Sequence, residues 1–211
     1  MGKVIAVDGP AGAGKSTVSK IVAARLGCTY IDTGAMYRAV GLKLSRTGAD
    51  LAEIVDGIEI ELDDKARVFL DGVDVTAEIR TQEIGRLASD VSKFDFVRKK
   101  LTELQRKMAE RGSVIMDGRD IGTEVLPNAD VKIFLTASLD ERARRRFDEL
   151  KAKGQAVDFD AIKAEIAARD KQDSEREIAP LKQADDAALI DSTNLTVEEV
   201  VAQILAICST R

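Results

Sequence analysis

Histidine is absent from this 211-residue chain, and cysteine occurs only as Cys28 and Cys208. Without an imidazole there can be no Ser-His-Asp hydrolase, no Cys-His nucleophile and no histidine metal site. Two cysteines are too few for a disulfide framework or a thiolate zinc site, which suits a reducing cytoplasm. No apolar run approaches the roughly 20 residues needed to cross a bilayer, and the N-terminus lacks a basic region followed by an apolar stretch of signal length. Met1-Gly2 does not open a myristoylation signal either, because Ala6 stands where Ser or Thr is required. Positive charge is in deficit, with 32 Lys and Arg against 37 Asp and Glu, a net charge of −5. That balance argues against a nucleic-acid polymer as partner, yet a small phosphate ester can still bind where arginines converge. With 45% apolar residues and no internal repeat or linker, the chain can bury one substantial core with small appended lobes.

One stretch carries the chemistry. Gly9-Pro10-Ala11-Gly12-Ala13-Gly14-Lys15-Ser16 follows the apolar run Val4–Val7 and precedes a helical pattern from Thr17 to Leu26. It fits G-x-x-x-x-G-K-[ST] between a strand and a helix, the context that a phosphate-binding loop requires. Glycines let the backbone wrap a polyphosphate and aim N–H groups at its oxygens, and the helix adds the positive end of its dipole. Lys15 is expected to reach the β- and γ-phosphates and Ser16 to ligate Mg²⁺, with Thr17 completing the ATP-binding segment.

Short apolar runs at Val4–Val7, Thr29–Ile31, Val114–Met116, Val131–Leu135 and Ala188–Ile190 alternate with helical patterns. The expected fold is α/β, a P-loop NTPase-type parallel sheet of about five strands flanked by helices. Asp8, Asp32, Asp117 and Asp191 end four of these runs, at the sheet edge where ligands bind. Residues 58–80 break the alternation. Alternating apolar residues around Asp63-Asp64 and Asp71-Gly72 predict a small antiparallel meander inserted in the core. Residues 141–178 are mostly charged, with Arg142, Arg144, Arg145 and Arg146 at one end, and their thin apolar stripe predicts a mobile, exposed helical lid. The expected division is a core of 1–57, 81–143 and 179–211, an acceptor-side meander of 58–80 and a lid of 144–178.

A P-loop alone leaves open which reaction the bound nucleotide enters. The D-x-x-G and N-K-x-D elements of GTPase switches are missing. Transfer of a phosphoryl group to a small acceptor needs a second anion site and a lid that excludes water. Candidates come after the second and third major runs. In Asp32-Thr33-Gly34-Ala35-Met36-Tyr37-Arg38, Gly34 allows a tight turn into a helix and Arg38 can grip a phosphate bidentately. In Asp117-Gly118-Arg119-Asp120, Asp117 can hold a Mg²⁺-bound water while Arg119 points towards the transferred group.

These two blocks, together with Arg169-Asp170-x-x-Asp173-x-x-Arg176 before Ala179-Pro180-Leu181 and the run Val75–Glu83, resemble the signatures of bacterial cytidylate kinases, P-loop nucleoside monophosphate kinases. The resemblance covers nearly the whole chain. It implies that Ser89, Arg98 and Asp120 contact the cytosine base, that Arg169 and Asp173 contact the ribose, and that Arg38, Arg119 and Arg176 hold the acceptor phosphate. Thr33 also falls among the implied CMP-binding positions; it stands where some members carry Ser, and the hydroxyl is kept. Read without the resemblance, Ser89 is an exposed helix serine, and Asp173 with Arg176 a surface i,i+3 ion pair. The implied activity moves the γ-phosphoryl of ATP to CMP or dCMP with Mg²⁺, in a cytoplasmic monomer. Lys15, Arg119, Arg169 and Arg176 are the expected catalytic groups. A P-loop kinase of another small acceptor, shikimate included, and a non-transferring ATPase or binding module are the alternatives.

Overall fold

A computed structural model of the chain describes residues 2–63 and 65–210, so Asp64 of the predicted turn lies outside the described residues, as do Met1 and Arg211. Five parallel strands form the main sheet: β1 (Val4–Asp8), β2 (Thr29–Asp32), β6 (Val114–Gly118), β7 (Val131–Thr136) and β8 (Ala188–Asp191). Their spatial order is β2-β6-β1-β7-β8. Helix α1 (Lys15–Leu26) carries the chain from β1 to β2, and β6 takes the place between those strands. The crossovers from β1 and from β6 therefore run in opposite directions. Such a switch point opens a crevice at the carboxyl ends of those strands.

Burial on both faces explains why β1, β2, β6 and β7 read as continuous apolar runs, whereas the edge strand β8 leaves Leu189 exposed. Successive side chains point to opposite sides, so Ile5 and Val7 pack with Val18 and Val22 of α1 and with Val201 and Ile204 of α8 (Val197–Thr210). Ala6, Ile31 and Met116 face the other way, against Ile121 and Val125. Those two residues belong to a single π-helical turn, Ile121–Val125.

The acceptor side is built from α2 (Thr33–Thr47), α3 (Leu51–Asp56), α4 (Gln82–Val91) and α5 (Asp95–Ala109). Ile84, Ala88 and Val91 of α4, and Val97 and Leu101 of α5, are buried as their spacing predicts. The predicted meander is present as a separate antiparallel sheet of β3 (Ile60–Leu62), β4 (Val68–Leu70) and β5 (Val73–Asp74). Its second turn is the two-residue Asp71-Gly72, with φ of +49° and +80°, and positive φ at both residues is what a type I′ hairpin requires. The strands are shorter than residues 58–80 suggested, since a 3₁₀ turn, Glu78–Arg80, already leads into α4.

The charged segment forms an antiparallel helix pair, α6 (Leu139–Ala152) and α7 (Phe159–Glu175). Its apolar stripe is fuller than the sequence suggested: Ala143, Leu150, Ile162 and Ile166 make a small core of their own, covered by Leu139, Phe147, Val157 and Phe159. Phe147 and Phe159 meet edge to face, with ring centroids 6.1 Å apart. None of the helices among the described residues is long and apolar enough to cross a membrane.

Candidate active site

At the switch point lies a cavity of about 870 Å³, bounded by the P-loop, the starts of α2 and α4, the end of β6 and the α6–α7 pair. The P-loop begins under tight constraint. A Cβ on Gly9, which has φ +147°, would sit 1.9 Å from the Leu135 carbonyl oxygen, so only glycine lets the loop leave β1 this close to β7. Helix α1 starts at Lys15, two residues before the predicted Thr17, with Gly14 as its N-cap and no side chain capping its first turn. Those N–H groups and the helix dipole are available to an anion in the cavity.

Lys15 is buried, and its Nζ donates to the Gly9 and Pro10 carbonyls at 2.7 and 2.8 Å. Burial and the neighbouring Arg119 hold its pKa well below the usual lysine range. Gly12, Gly14, Ser16 and Thr17 line the cavity, whereas Gly9, Pro10 and Ala13 are buried behind it. These three serve through their carbonyls: Ala13 accepts from Arg145 Nη1 at 3.3 Å. Ala11 accepts from Arg142 Nη1 at 3.0 Å, and Arg142 also pairs with Asp170 at 2.6 Å. Helix α6 is therefore tied to the P-loop backbone by two arginines, and Arg142 is a buried residue of the fold.

Ser16 Oγ donates to Asp117 Oδ2, and the Tyr30 hydroxyl to Asp117 Oδ1, both at 2.8 Å. Burial, and then the neighbouring Asp32 carboxylate, push Asp117 up to about 6. Asp32 caps α2 by accepting from Ala35 N at 2.9 Å and pairs with Arg80 at 2.9 Å. That cap starts α2 at Thr33, so Gly34 lies inside the helix and not in a turn before it. Asp8 has a different task from the other strand-end carboxylates. It accepts the Ile121 and Gly122 amides at 2.7 Å each, and burial raises it to about 6 despite them. Asp191 is exposed and closes its own turn to Thr193.

The remaining predicted residues converge on the far wall. Thr33 Oγ donates to the Asp117 carbonyl at 2.7 Å. Arg38 donates to the Ile79 carbonyl at 3.0 Å and lies over Gly85, where a Cβ would come 3.0 Å from the guanidinium. Arg98 and Asp120, both buried, form an ion pair, and the Arg98 guanidinium lies 5.6 Å from the centre of the Tyr37 ring. Arg119 pairs with Asp173 at 2.9 Å, and Arg176 stands 3.7 Å from Asp120 and 3.8 Å from Asp173. Asp173 and Arg176 are thus a buried pair facing the cavity and not a surface one. Burial works against ionisation of Asp173, but Arg119, Arg169 and Arg176 hold it below the usual carboxylate range. Arg169 faces the cavity with its buried Nε unpartnered, and burial followed by the charge of Arg119 brings its pKa down to about 10. Converging, under-neutralised guanidinium groups on this scale form an anion site.

Tyr37, Arg80 and Gln172 in this wall, and Tyr30 behind it on Asp117, carry no signal of their own in the sequence as site residues. Tyr37 sits inside the block Asp32–Arg38, which is the one pointer to it. Gln172 Nε2 donates to Ser89, one turn from Arg169, and no local pattern foretells that partner on α4.

A family model described as Cytidylate kinase matches residues 5–210. A curated cytidylate kinase of Caldicellulosiruptor bescii is 53% identical over 210 residues, 95% of this chain and 93% of its own. The cytidylate kinase of Symbiobacterium thermophilum is 53% identical over 215 residues, 97% of this chain and 95% of its own. Among solved structures, a gluconokinase from Sinorhizobium meliloti (TM-score 0.52, 16% identity, covering 99% of this chain and 92% of its own) shares the fold. So does a shikimate kinase from Acinetobacter baumannii (TM-score 0.50, 17% identity, covering 98% and 92%).

Proposed function

Because the chain belongs to the cytidylate kinase family, we infer that it transfers the γ-phosphoryl group of ATP to CMP or dCMP, giving ADP and CDP or dCDP. The observation that carries the reading is one cavity with a P-loop on one side and a buried Arg98–Asp120 pair on the other. A phosphate-binding loop calls for a nucleoside triphosphate. A buried carboxylate beside a guanidinium offers an acceptor and donors side by side, which matches the 4-amino group and ring acceptors of cytosine.

In this reading the P-loop amides and Lys15 hold the β- and γ-phosphates, and Lys15 exchanges its two loop carbonyls for phosphate oxygens. Arg38, Arg119 and Arg176 grip the acceptor phosphate, and Arg169 with Asp173 holds the ribose. Ser89, Arg98 and Asp120 read the base, while the Thr33 hydroxyl supports the loop after β6. Arg119, Arg169 and Arg176, with Lys15, are the groups assigned to the charge of the transferring phosphoryl. The attacking oxygen belongs to a phosphate already ionised at neutral pH, so no general base is needed and the missing histidine has no consequence. Catalysis is then positioning and charge stabilisation.

Mg²⁺ fits the donor set present. Ser16 Oγ and an Asp117 oxygen lie 2.8 Å apart, both are hard oxygens, and Asp32 beside Asp117 leaves negative charge that a dication would offset. Ser16 would hold the ion directly and Asp117 through water. When bound, it would neutralise charge on the β- and γ-oxygens. We divide the chain for this purpose into a core (1–57, 81–143, 179–211), an acceptor-side meander (58–80) and a lid (144–178) that shuts out water. The enzyme acts on free nucleotides as a monomer in the cytoplasm, a compartment with which the free thiols of Cys28 and Cys208 accord.

The direct test is to follow label from [γ-³²P]ATP in the presence of CMP. The β-phosphate of CDP should carry it. Label only in inorganic phosphate would favour a non-transferring ATPase, and label on shikimate but not on CMP would favour a kinase of another small acceptor.

A further inference from the structure

We propose that Gln172 on α7 is a positioning residue for base choice: it holds the Ser89 hydroxyl at the cavity wall in one rotamer, so that this hydroxyl tells one pyrimidine from another. The inference rests on the cytidylate kinase reading, in which Ser89 faces the base.

The geometry fixes the polarity of the contact. Gln172 Nε2 lies 3.0 Å from the Ser89 carbonyl oxygen and 2.8 Å from Ser89 Oγ. A backbone carbonyl only accepts, so the amide nitrogen and not its oxygen faces Ser89. The same NH₂ group therefore donates to the hydroxyl, occupies one of its lone pairs and selects its rotamer. Ser92 Oγ donates to the same carbonyl at 2.7 Å, which steadies the backbone that carries the side chain. One lone pair and the hydroxyl proton of Ser89 remain for the cavity that both residues line. A hydroxyl left free on a half-buried helix face turns to suit whatever it meets and serves cytosine and uracil alike. One held in a single rotamer has a fixed pattern to match or mismatch. Cytosine carries a 4-amino group beside an unprotonated N3, and uracil carries a carbonyl beside N3–H. Rejection of an analogue depends on leaving a built-in hydrogen bond unpaired.

Gln172 belongs to a seam with two separable ends. Gln82, Arg86 and Ser89 share one face of α4 at i, i+4 and i+7. The first two meet Glu165 at 2.7 and 3.2 Å, and Ser89 meets Gln172, seven residues further along α7. The Glu165 end fastens α7 without touching Ser89, so docking and base choice can be disturbed one at a time.

The experiment measures kcat/KM for CMP and UMP in the wild type, Gln172→Met, Glu165→Ala, Ser89→Ala and the Gln172→Met/Ser89→Ala pair. Methionine keeps the length and removes the donor. Gln172→Met should lower the CMP:UMP ratio by roughly tenfold, about the worth of one lost hydrogen bond, through a higher KM for CMP and with the KM for ATP unmoved. In the Ser89→Ala background the same change should narrow the ratio no further, because the two residues act as a unit. Glu165→Ala should slow both nucleotides together and keep the ratio. If the Met variant melts below the assay temperature, Gln172→Leu serves in its place. An unchanged ratio, additive narrowing in the double variant, or equal narrowing in Glu165→Ala would each overturn the proposal. A wild-type enzyme with no preference for CMP would instead remove the cytidylate kinase reading, and the proposal with it.

Discussion

At the residue scale, the site consists of buried charges held by one another until substrate arrives. Lys15 is the clearest case. A lysine in a glycine-rich loop gives no sign of burial, yet Lys15 is buried at the start of α1 with two carbonyls as partners, because the loop folds back over it. Lys15→Ala should abolish turnover, by at least the roughly 10²–10³-fold typical of losing one charge-stabilising donor. It should also shift the melt slightly, since the Gly9 and Pro10 carbonyls lose a donor. ADP release beside a thermal melt checks both, and more than a few per cent of residual activity would mean that Lys15 does not face the phosphoryl group. Asp120→Asn keeps the shape but places an NH₂ where an acceptor stood, so CMP turnover should drop and the CMP:UMP ratio narrow. The wild-type ratio in that variant would assign discrimination to Ser89 and Arg98.

Asp8 gives a pH dependence with a definite sign. Burial raises its pKa from 3.8 to about 6. The folded chain therefore keeps a proton over a range in which the unfolded chain has released it, and this group's contribution to stability falls as pH rises from 3.8 to about 6, then levels. Asp8→Asn removes the titration. The stability of wild type relative to the variant should decline across that window, by on the order of 3 kcal/mol, as measured by urea melts in steps of pH. A difference that does not vary with pH would contradict this assignment.

At the scale of elements, strands and helices were legible where one physical signal dominated. All five apolar runs became strands, four of them buried on both faces and β8 at the sheet edge with Leu189 exposed, and the Asp71-Gly72 turn formed because these residue types accept the positive φ at both positions that a type I′ hairpin requires. The α6–α7 pair was harder to read. Its apolar residues face each other across two helices and not a sheet, so each helix alone looks thinly amphipathic. Partners brought by tertiary contact were not legible either: Asp8 on the Ile121 and Gly122 amides, Arg142 on Asp170, and Gln172 on Ser89 are far apart in the chain. The residues of the candidate site itself came mainly from the family resemblance, since an isolated Ser89 or Asp173 carries no chemical pattern. Converging Arg38, Arg119 and Arg169 repel each other in the free protein. Phosphates should neutralise them and hold the α6–α7 pair shut. Amide exchange across residues 144–176 should therefore slow when an ATP analogue and CMP are added together. Exchange that stays the same would count against a lid.

At the scale of the whole molecule, an acidic chain binds anions by gathering its few effective cations at one crevice, while its surface charges pair among themselves. The family is read from the full length of the chain, whereas likeness to gluconokinase and shikimate kinase at 16–17% identity speaks only for the fold. What defines this enzyme is its acceptor, and that is measured by kcat/KM for ADP release with CMP, dCMP, UMP, AMP, GMP and shikimate under one set of conditions. CMP or dCMP should lead the series, with UMP well behind and the purine nucleotides and shikimate slower still. A faster rate with any of the others, or ADP release that needs no acceptor, would contradict this reading.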